Sequence, residues 1–178
     1  MTHPSLRSAD ALSLSRRGIA LPLPTATATK RHLALSTNSI AAIQNLAGLE
    51  NLKVLSLGRN QIKKFDNIEA VSSTLEEIWI SYNLIESLSG LDKAKGLKKL
   101  YMSNNLIAKW SEIEKLQANP ELEEVLFVGN PFVDEDNAAY RIQMIKTLPN
   151  LKKMLMQNLS LLKHSRYVVK VVFLLSII

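Results

Sequence analysis

Along most of this chain the hydrophobic and polar positions repeat with a period of 22–25 residues. Leu33, Leu55, Ile78, Leu100 and Val125 each open the same phrase: an apolar residue, one residue, an apolar residue, two residues, an asparagine, one residue and a further apolar residue. The asparagines are Asn38, Asn60, Asn83, Asn105 and Asn130. The alternation before each asparagine has the period of two that a half-buried strand requires. After each asparagine the apolar spacing opens to three, as in Ile62, Phe65, Ile68 and Val71, or Ile85, Leu88, Leu91 and Ala94. That spacing predicts a short helical or 3-10 return. Leu52, Leu75, Leu97 and Leu122 supply one more core position ahead of each strand.

Five in-register copies of strand, turn and return predict an α/β leucine-rich-repeat solenoid, a right-handed β-α superhelix of about five to six repeats with a parallel concave sheet. No single repeat can bury its own apolar face, so stacking must supply the core. An asparagine amide both donates and accepts. Stacked copies can therefore satisfy backbone groups in the tight turn that would otherwise be buried unpaired, at about 1–3 kcal/mol each.

The same alternation separates core from surface. Ile78 and Ile80 point inward, so Trp79 between them points out of the concave face. The outward column reads Ala34, Ser56, Trp79, Tyr101 and Leu126. A second column reads Ser36, Gly58, Ser81, Ser103 and Val128, and a third Thr37, Arg59, Tyr82, Asn104 and Gly129. Strands lie about 4.8 Å apart, so Trp79, Tyr101 and Leu126 are expected side by side, with Tyr82 and Val128 extending the patch. Aromatic residues and arginine dominate binding hot spots. Mutual stacking of Trp79 and Tyr101 on a bare sheet surface is the simpler alternative. Glu77, Lys99 and Glu124 frame the patch, either as a solvated rim or as an orienting polar border, and Arg59 stands beside Tyr82.

Composition narrows the chemistry. The chain has 178 residues, 47% of them hydrophobic, and no cysteine, which excludes disulfides and thiolate sites. The net charge of +6 resides at the ends: residues 1–32 carry +4, residues 155–178 carry +3, and the middle is close to neutral at −1. A basic body of the kind that grips nucleic acid is not present. His3, His32 and His164 have no ligand spacing. The segment from Gly90 departs from a phosphate loop, with Leu97 where lysine is required, and Asp134–Asn137 departs from a calcium loop, with Ala139 and Ile145 at the glycine and glutamate positions. The acids instead suit the N-terminus of a helix over residues 138–147. No nucleophile–base pair is recognisable. An enzyme, a cofactor and a metal site are not expected.

The ends differ from the middle. Residues 1–32 are rich in Ser, Arg, Pro and Thr and are expected to form an irregular or disordered leader. Residues 33–154 form the repeat domain. In residues 155–178 the template fails, since Leu159 stands where asparagine is wanted, and an apolar run broken by Lys170 follows. That run is too short for a membrane span. It reads as a buried strand, an interfacial tail or, the favoured alternative, translated non-coding sequence.

The stretches "LSLGRNQIK", "LEEIWISYNLIE", "LYMSNNLIAKW", "FVGNP" and "TLPNLKKM" resemble the leucine-rich-repeat light chains of axonemal outer-arm dynein, over roughly residues 33–154. The resemblance implies a non-catalytic subunit that binds a dynein heavy chain near the microtubule-binding head of the stalk, with tubulin as a candidate second contact. It further implies a cytoplasmic, cytoskeletal location in the axoneme of cilia and flagella, no nucleic acid and no membrane span. It places the heavy-chain contact on Arg59, Trp79, Tyr82, Tyr101, Leu126 and Val128. The alternatives are a regulatory scaffold of protein phosphatase 1 and an RNA-particle protein, whose repeats are of the same class. That family's helical N-terminal cap and charged C-terminal tail have no counterpart in residues 1–32 and 155–178.

Overall fold

A computed structural model describes residues 11–13, 29–44, 46–134, 138–156 and 171–172. Most of the leader, most of the apolar tail and the acids Glu135 and Asp136 lie outside the described residues.

The described strands form one sheet in chain order. They are β1 (Ala11–Ser13), β2 (His32–Ala34), β3 (Val54–Ser56), β4 (Glu77–Trp79), β5 (Lys99–Tyr101), β6 (Glu124–Leu126), β7 (Lys153–Met156) and β8 (Val171–Val172). Each neighbouring pair from β1 to β7 is parallel, and β8 closes antiparallel on β7. β1 and β8 thus add rungs within the two segments that the repeat pattern does not reach. The register is that of the sequence template: Leu33, Leu55, Ile78, Leu100, Val125 and Met154 stand abreast. Five of them are buried to 1% exposure or less, Met154 being only partly covered.

The returns are short. Those of the middle repeats are single 3-10 turns, Ile68–Ala70 and Leu91–Lys93. The next holds α1 (Trp110–Glu114), which runs on into a 3-10 turn at Lys115–Ala118. Ile62, Phe65, Ile68 and Val71 are buried, as are Ile85, Leu88, Leu91 and Ala94, so the spacing of three after each asparagine packs every return against the strands. Each buried aliphatic side chain contributes about 1.5–3 kcal/mol of transfer free energy. Gly90 opens one return with φ of 100°, and a Cβ there would fall 2.6 Å from the Phe65 carbonyl oxygen, so only glycine lets the two returns close up.

At the far end α2 (Ala138–Thr147) covers the last repeat. Trp110 meets Phe132 at 5.9 Å and Tyr140 at 6.0 Å between ring centres, and its Nε1–H donates to Thr147 Oγ1. These edge-to-face contacts close the core beneath α2.

The asparagines bind consecutive turns together. Asn83 Nδ2 donates to Ile80 O and Ser81 O of its own turn and to Leu57 O of the preceding repeat, while its Oδ1 accepts Ile62 N–H at 2.9 Å. Asn60 and Asn105 repeat all four contacts one rung to either side, and Asn130 bonds Met102 O, Phe127 O and Ile107 N–H. Asn38 bonds Leu35 O and Ser36 O within its own turn.

Candidate functional site

The solvent face of the sheet is built by register. Ala34, Ser56, Trp79, Tyr101, Leu126 and Leu155 are successive Cα partners across β2 to β7. Trp79 and Tyr101 are half-buried, with ring centres 5.8 Å apart and tilted by 54°. They do stack, yet each keeps open surface. Together with Leu126 and Leu155 they wall a depression of about 510 Å³ whose floor is Ser36, Ser56, Gly58 and Ser81. Small floor residues beside a large aromatic wall leave room for an incoming side chain. The Ser36 and Ser56 hydroxyls bond each other at 2.9 Å, so the floor is itself ordered.

The charges ahead of this column are spent internally. Lys99 Nζ pairs with Glu77 at 2.7 Å and Lys153 Nζ with Glu124 at 3.2 Å. The same acids hold the polar tips of the aromatics: Trp79 Nε1–H donates to Glu77 and Tyr101 O–H to Glu124, at 3.2 and 2.8 Å. Burial, then the hydrogen bond to Glu124 and its charge, push the Tyr101 phenol well above its ordinary range. It stays a neutral donor. Glu77, Lys99 and Glu124 therefore orient the aromatic wall rather than advertise charge. One residue earlier the row alternates again. Glu76 bridges Lys53 and Lys98, and Lys152 pairs with Glu123. Hydrogen bonding to Lys53 leads the effects that hold Glu76 below the usual carboxylate range.

The third outward column and Val128 need correction. Strands β2 to β6 are three residues long, and alternation carries past them only to the buried Ile80 and to Ser81 at the depression. Thr37, Arg59, Tyr82, Asn104 and Gly129 are not strand residues facing out of the sheet. All lie in the turn with φ between 54° and 76°. A left-handed residue costs about 1–2 kcal/mol unless it is glycine or, to a lesser degree, asparagine. Tyr82 is 49% exposed at the sheet's turn edge, and the Arg59 guanidinium lies 4.5 Å above its ring. Val128 also belongs to the turn. It is only 8% exposed and its carbonyl accepts Asn104 N–H, so it does not extend the open patch.

Three site residues escaped the repeat pattern. Leu155 and Lys153 continue the two columns onto β7, where the asparagine phrase has already failed. His32 begins the charged row on β2 and sits 6.2 Å from Trp79, edge to face. Burial, partly opposed by Glu77, lowers its pKa, so its imidazole resists protonation. Extending the register by one strand past β6 finds Leu155 and Lys153, and reading the Glu77 row back to β2 finds His32. Among the described residues no three potential metal ligands cluster, and no helix is long and apolar enough to cross a membrane.

A solenoid of asparagine-turned parallel strands with an open aromatic sheet face defines a class, and the comparison with known families agrees. Residues 22–170 match the family model described as "Leucine-rich repeat", and the chain belongs to that family. Within it, the chain is 60% identical over 129 residues to dynein axonemal light chain 1 of Chlamydomonas reinhardtii and 53% identical over 124 residues to the protein of that name from Homo sapiens. These matches take in 70% and 68% of this chain and 65% of each relative, so the chain spans about two thirds of the length of the curated relatives it matches. Among solved structures, that of the Drosophila melanogaster SNF/U2A' complex superposes with a TM-score of 0.56 at 25% identity, over 65% of this chain and 67% of that one.

Proposed function

We propose that this chain is a non-catalytic light chain of axonemal outer-arm dynein. It docks through the Trp79–Tyr101–Leu126 wall onto a dynein heavy chain near the microtubule-binding head of the stalk, and it modulates the motor in the axoneme of cilia and flagella. The observation that carries the reading is the aromatic column itself. The polar tips of Trp79 and Tyr101 are held by Glu77 and Glu124 while their ring faces border an open, small-floored depression. Nothing in the solenoid requires a tryptophan there. The names of the relatives at 53–60% identity support a heavy chain as the partner.

Docking a rigid solenoid beside the stalk head would bias the head's affinity for microtubules. By linkage, microtubule binding would then change light-chain affinity by the same factor. Tubulin is a candidate second contact.

The test is co-purification of the full chain with detergent-extracted outer-arm dynein, set beside a Trp79→Ala/Tyr101→Ala variant whose circular dichroism matches the unaltered chain. Loss of both anchors is expected to weaken heavy-chain binding by about 30-fold or more. Equal recovery of the heavy chain by both proteins overturns the docking face. Absence of the heavy chain, with a phosphatase or an RNA particle in its place, overturns the partner.

A further inference from the structure

We infer that the docking face turns the corner of the sheet onto Arg59, Tyr82, Leu84 and Leu106, and that the protein segment received there sets a carboxylate against Arg59 between apolar side chains. This deepens the heavy-chain reading and rests on it.

Three observations converge on the corner. The first is exposure. Tyr82, Leu84 and Leu106 are 49%, 39% and 41% exposed, and all belong to the asparagine turns of two consecutive repeats. Leu84 N–H donates to Ile62 O and Leu106 N–H to Ile85 O, so the two leucines occupy the same place on neighbouring rungs. The solenoid needs nothing apolar at that place, where other repeats carry Ser39 and Gln61.

The second is backbone conformation. Arg59 and Tyr82 have φ of 57° and 60°, in a turn that Asn104 and Gly129 make with residue types suited to it. Large side chains are therefore kept on the turn edge against the local preference. Strain of this sort persists where the side chain serves something beyond the fold.

The third is charge. Among the described residues Arg59 pairs with no carboxylate, whereas Lys53, Lys98, Lys99, Lys152 and Lys153 each have a glutamate. Its guanidinium carbon lies 4.5 Å from the centre of the Tyr82 ring, which keeps the head group on the turn edge. A guanidinium is itself a planar fork, which favours a carboxylate approaching edge-on with two parallel hydrogen bonds. Leu84 and Leu106, exposed in the turns of the next two repeats, favour apolar residues in the segment that carries that carboxylate.

The experiment titrates the full chain against a purified outer-arm dynein heavy-chain stalk-head fragment, and separately measures thermal unfolding. Arg59→Asn and Arg59→Glu are expected to weaken binding by about ten-fold or more, while Arg59→Lys, which keeps the charge but loses the planar fork, recovers only part of it. Leu84→Ser/Leu106→Ser is expected to weaken it as well. Arg59→Asn borrows the residue this chain already uses at Asn104, so it should melt no lower than the unaltered chain. Affinity and stability thus part company, which a purely structural arginine would not produce. If Arg59→Glu binds within about two-fold of the unaltered chain while Trp79→Ala/Tyr101→Ala does not bind, the sheet face stands and the corner is overturned. If Arg59→Asn loses stability and affinity together, the residue is structural and the inference fails. If the unaltered chain does not bind the fragment, the heavy-chain reading and this inference fall together.

Discussion

Two columns run side by side through the solenoid, one residue apart in every repeat. One is Asn38, Asn60, Asn83, Asn105 and Asn130. The other is Thr37, Arg59, Tyr82, Asn104 and Gly129. The first uses one residue type five times, because the stacked turn needs a donor and an acceptor at a fixed place. The second shares a backbone conformation, with φ of 54–76° throughout, yet uses five residue types, three of them poorly suited to it. A column that repeats its chemistry serves the scaffold. A column that repeats only its backbone leaves its side chains to serve something else.

The largest effect should come from the first column. Asn83→Ala removes the donor shared by Leu57 O, Ile80 O and Ser81 O and the acceptor of Ile62 N–H, all within a turn where Asn83 is 5% exposed. Several buried backbone groups lose partners at once, so urea unfolding should show a loss of about 3–5 kcal/mol. A loss below about 1 kcal/mol would mean that the asparagine ladder adds little to the solenoid.

These columns also mark what could be read in the sequence. Strand register, the buried Leu33–Val125 row, the five asparagines and the outward Trp79–Tyr101–Leu126 column follow from alternation and repetition, because both depend on backbone geometry that every repeat shares. Alternation holds as far as the buried Ile80 and the open Ser81 and fails at the turn. Arg59 and Tyr82, counted as a third outward column, lie in that turn, and Val128, which alternation past Leu126 puts in the open, is 8% exposed. A three-residue strand gives way to a left-handed turn, and the rule of two does not apply there. The rung at Leu155 was hidden for another reason. Pairing of β7 with β6 needs only backbone groups, while the phrase that flags a repeat needs its asparagine. Asn119 shows the same limit. It is 4% exposed and holds Leu91 O and Ala94 O across two returns, a polar core contact with no periodic signature.

A smaller effect sharpens the second column. Thr37 is β-branched, exposed and held at φ of 60°, at the end of the column away from the aromatic wall. Thr37→Asn should raise stability by about 1 kcal/mol, visible as a higher melting temperature, and leave heavy-chain affinity unchanged. Arg59→Asn makes the same backbone change inside the proposed site. If both substitutions stabilise but neither alters affinity, the irregular residue types of this column have no functional meaning.

The smallest effect concerns protons at His32 on β2. Burial disfavours the imidazolium of His32 and lowers its pKa below 6.5, with Glu77 only partly opposing. The unfolded chain therefore takes up the proton more readily than the folded one. The stability this represents is present above about pH 6.5 and is lost as the solution is acidified below it. Glu112 shares the sign but not the window. Burial alone would raise its pKa, but hydrogen bonds from Lys115 Nζ, Leu88 N–H and the Ser87 hydroxyl outweigh that and hold it low, so its contribution disappears only at more acid pH. Melting temperatures at pH 7.5 and 5.5 separate the two. The unaltered chain should lose a few degrees, and His32→Gln should lose less, because its side chain cannot charge. His32 lies against Trp79, so the same proton would set a cation beside the aromatic wall, near Glu77, and heavy-chain affinity should shift over the same pH interval. If His32→Gln melts with the same pH dependence as the unaltered chain, some other group titrates in that interval, and β2 is insensitive to protons.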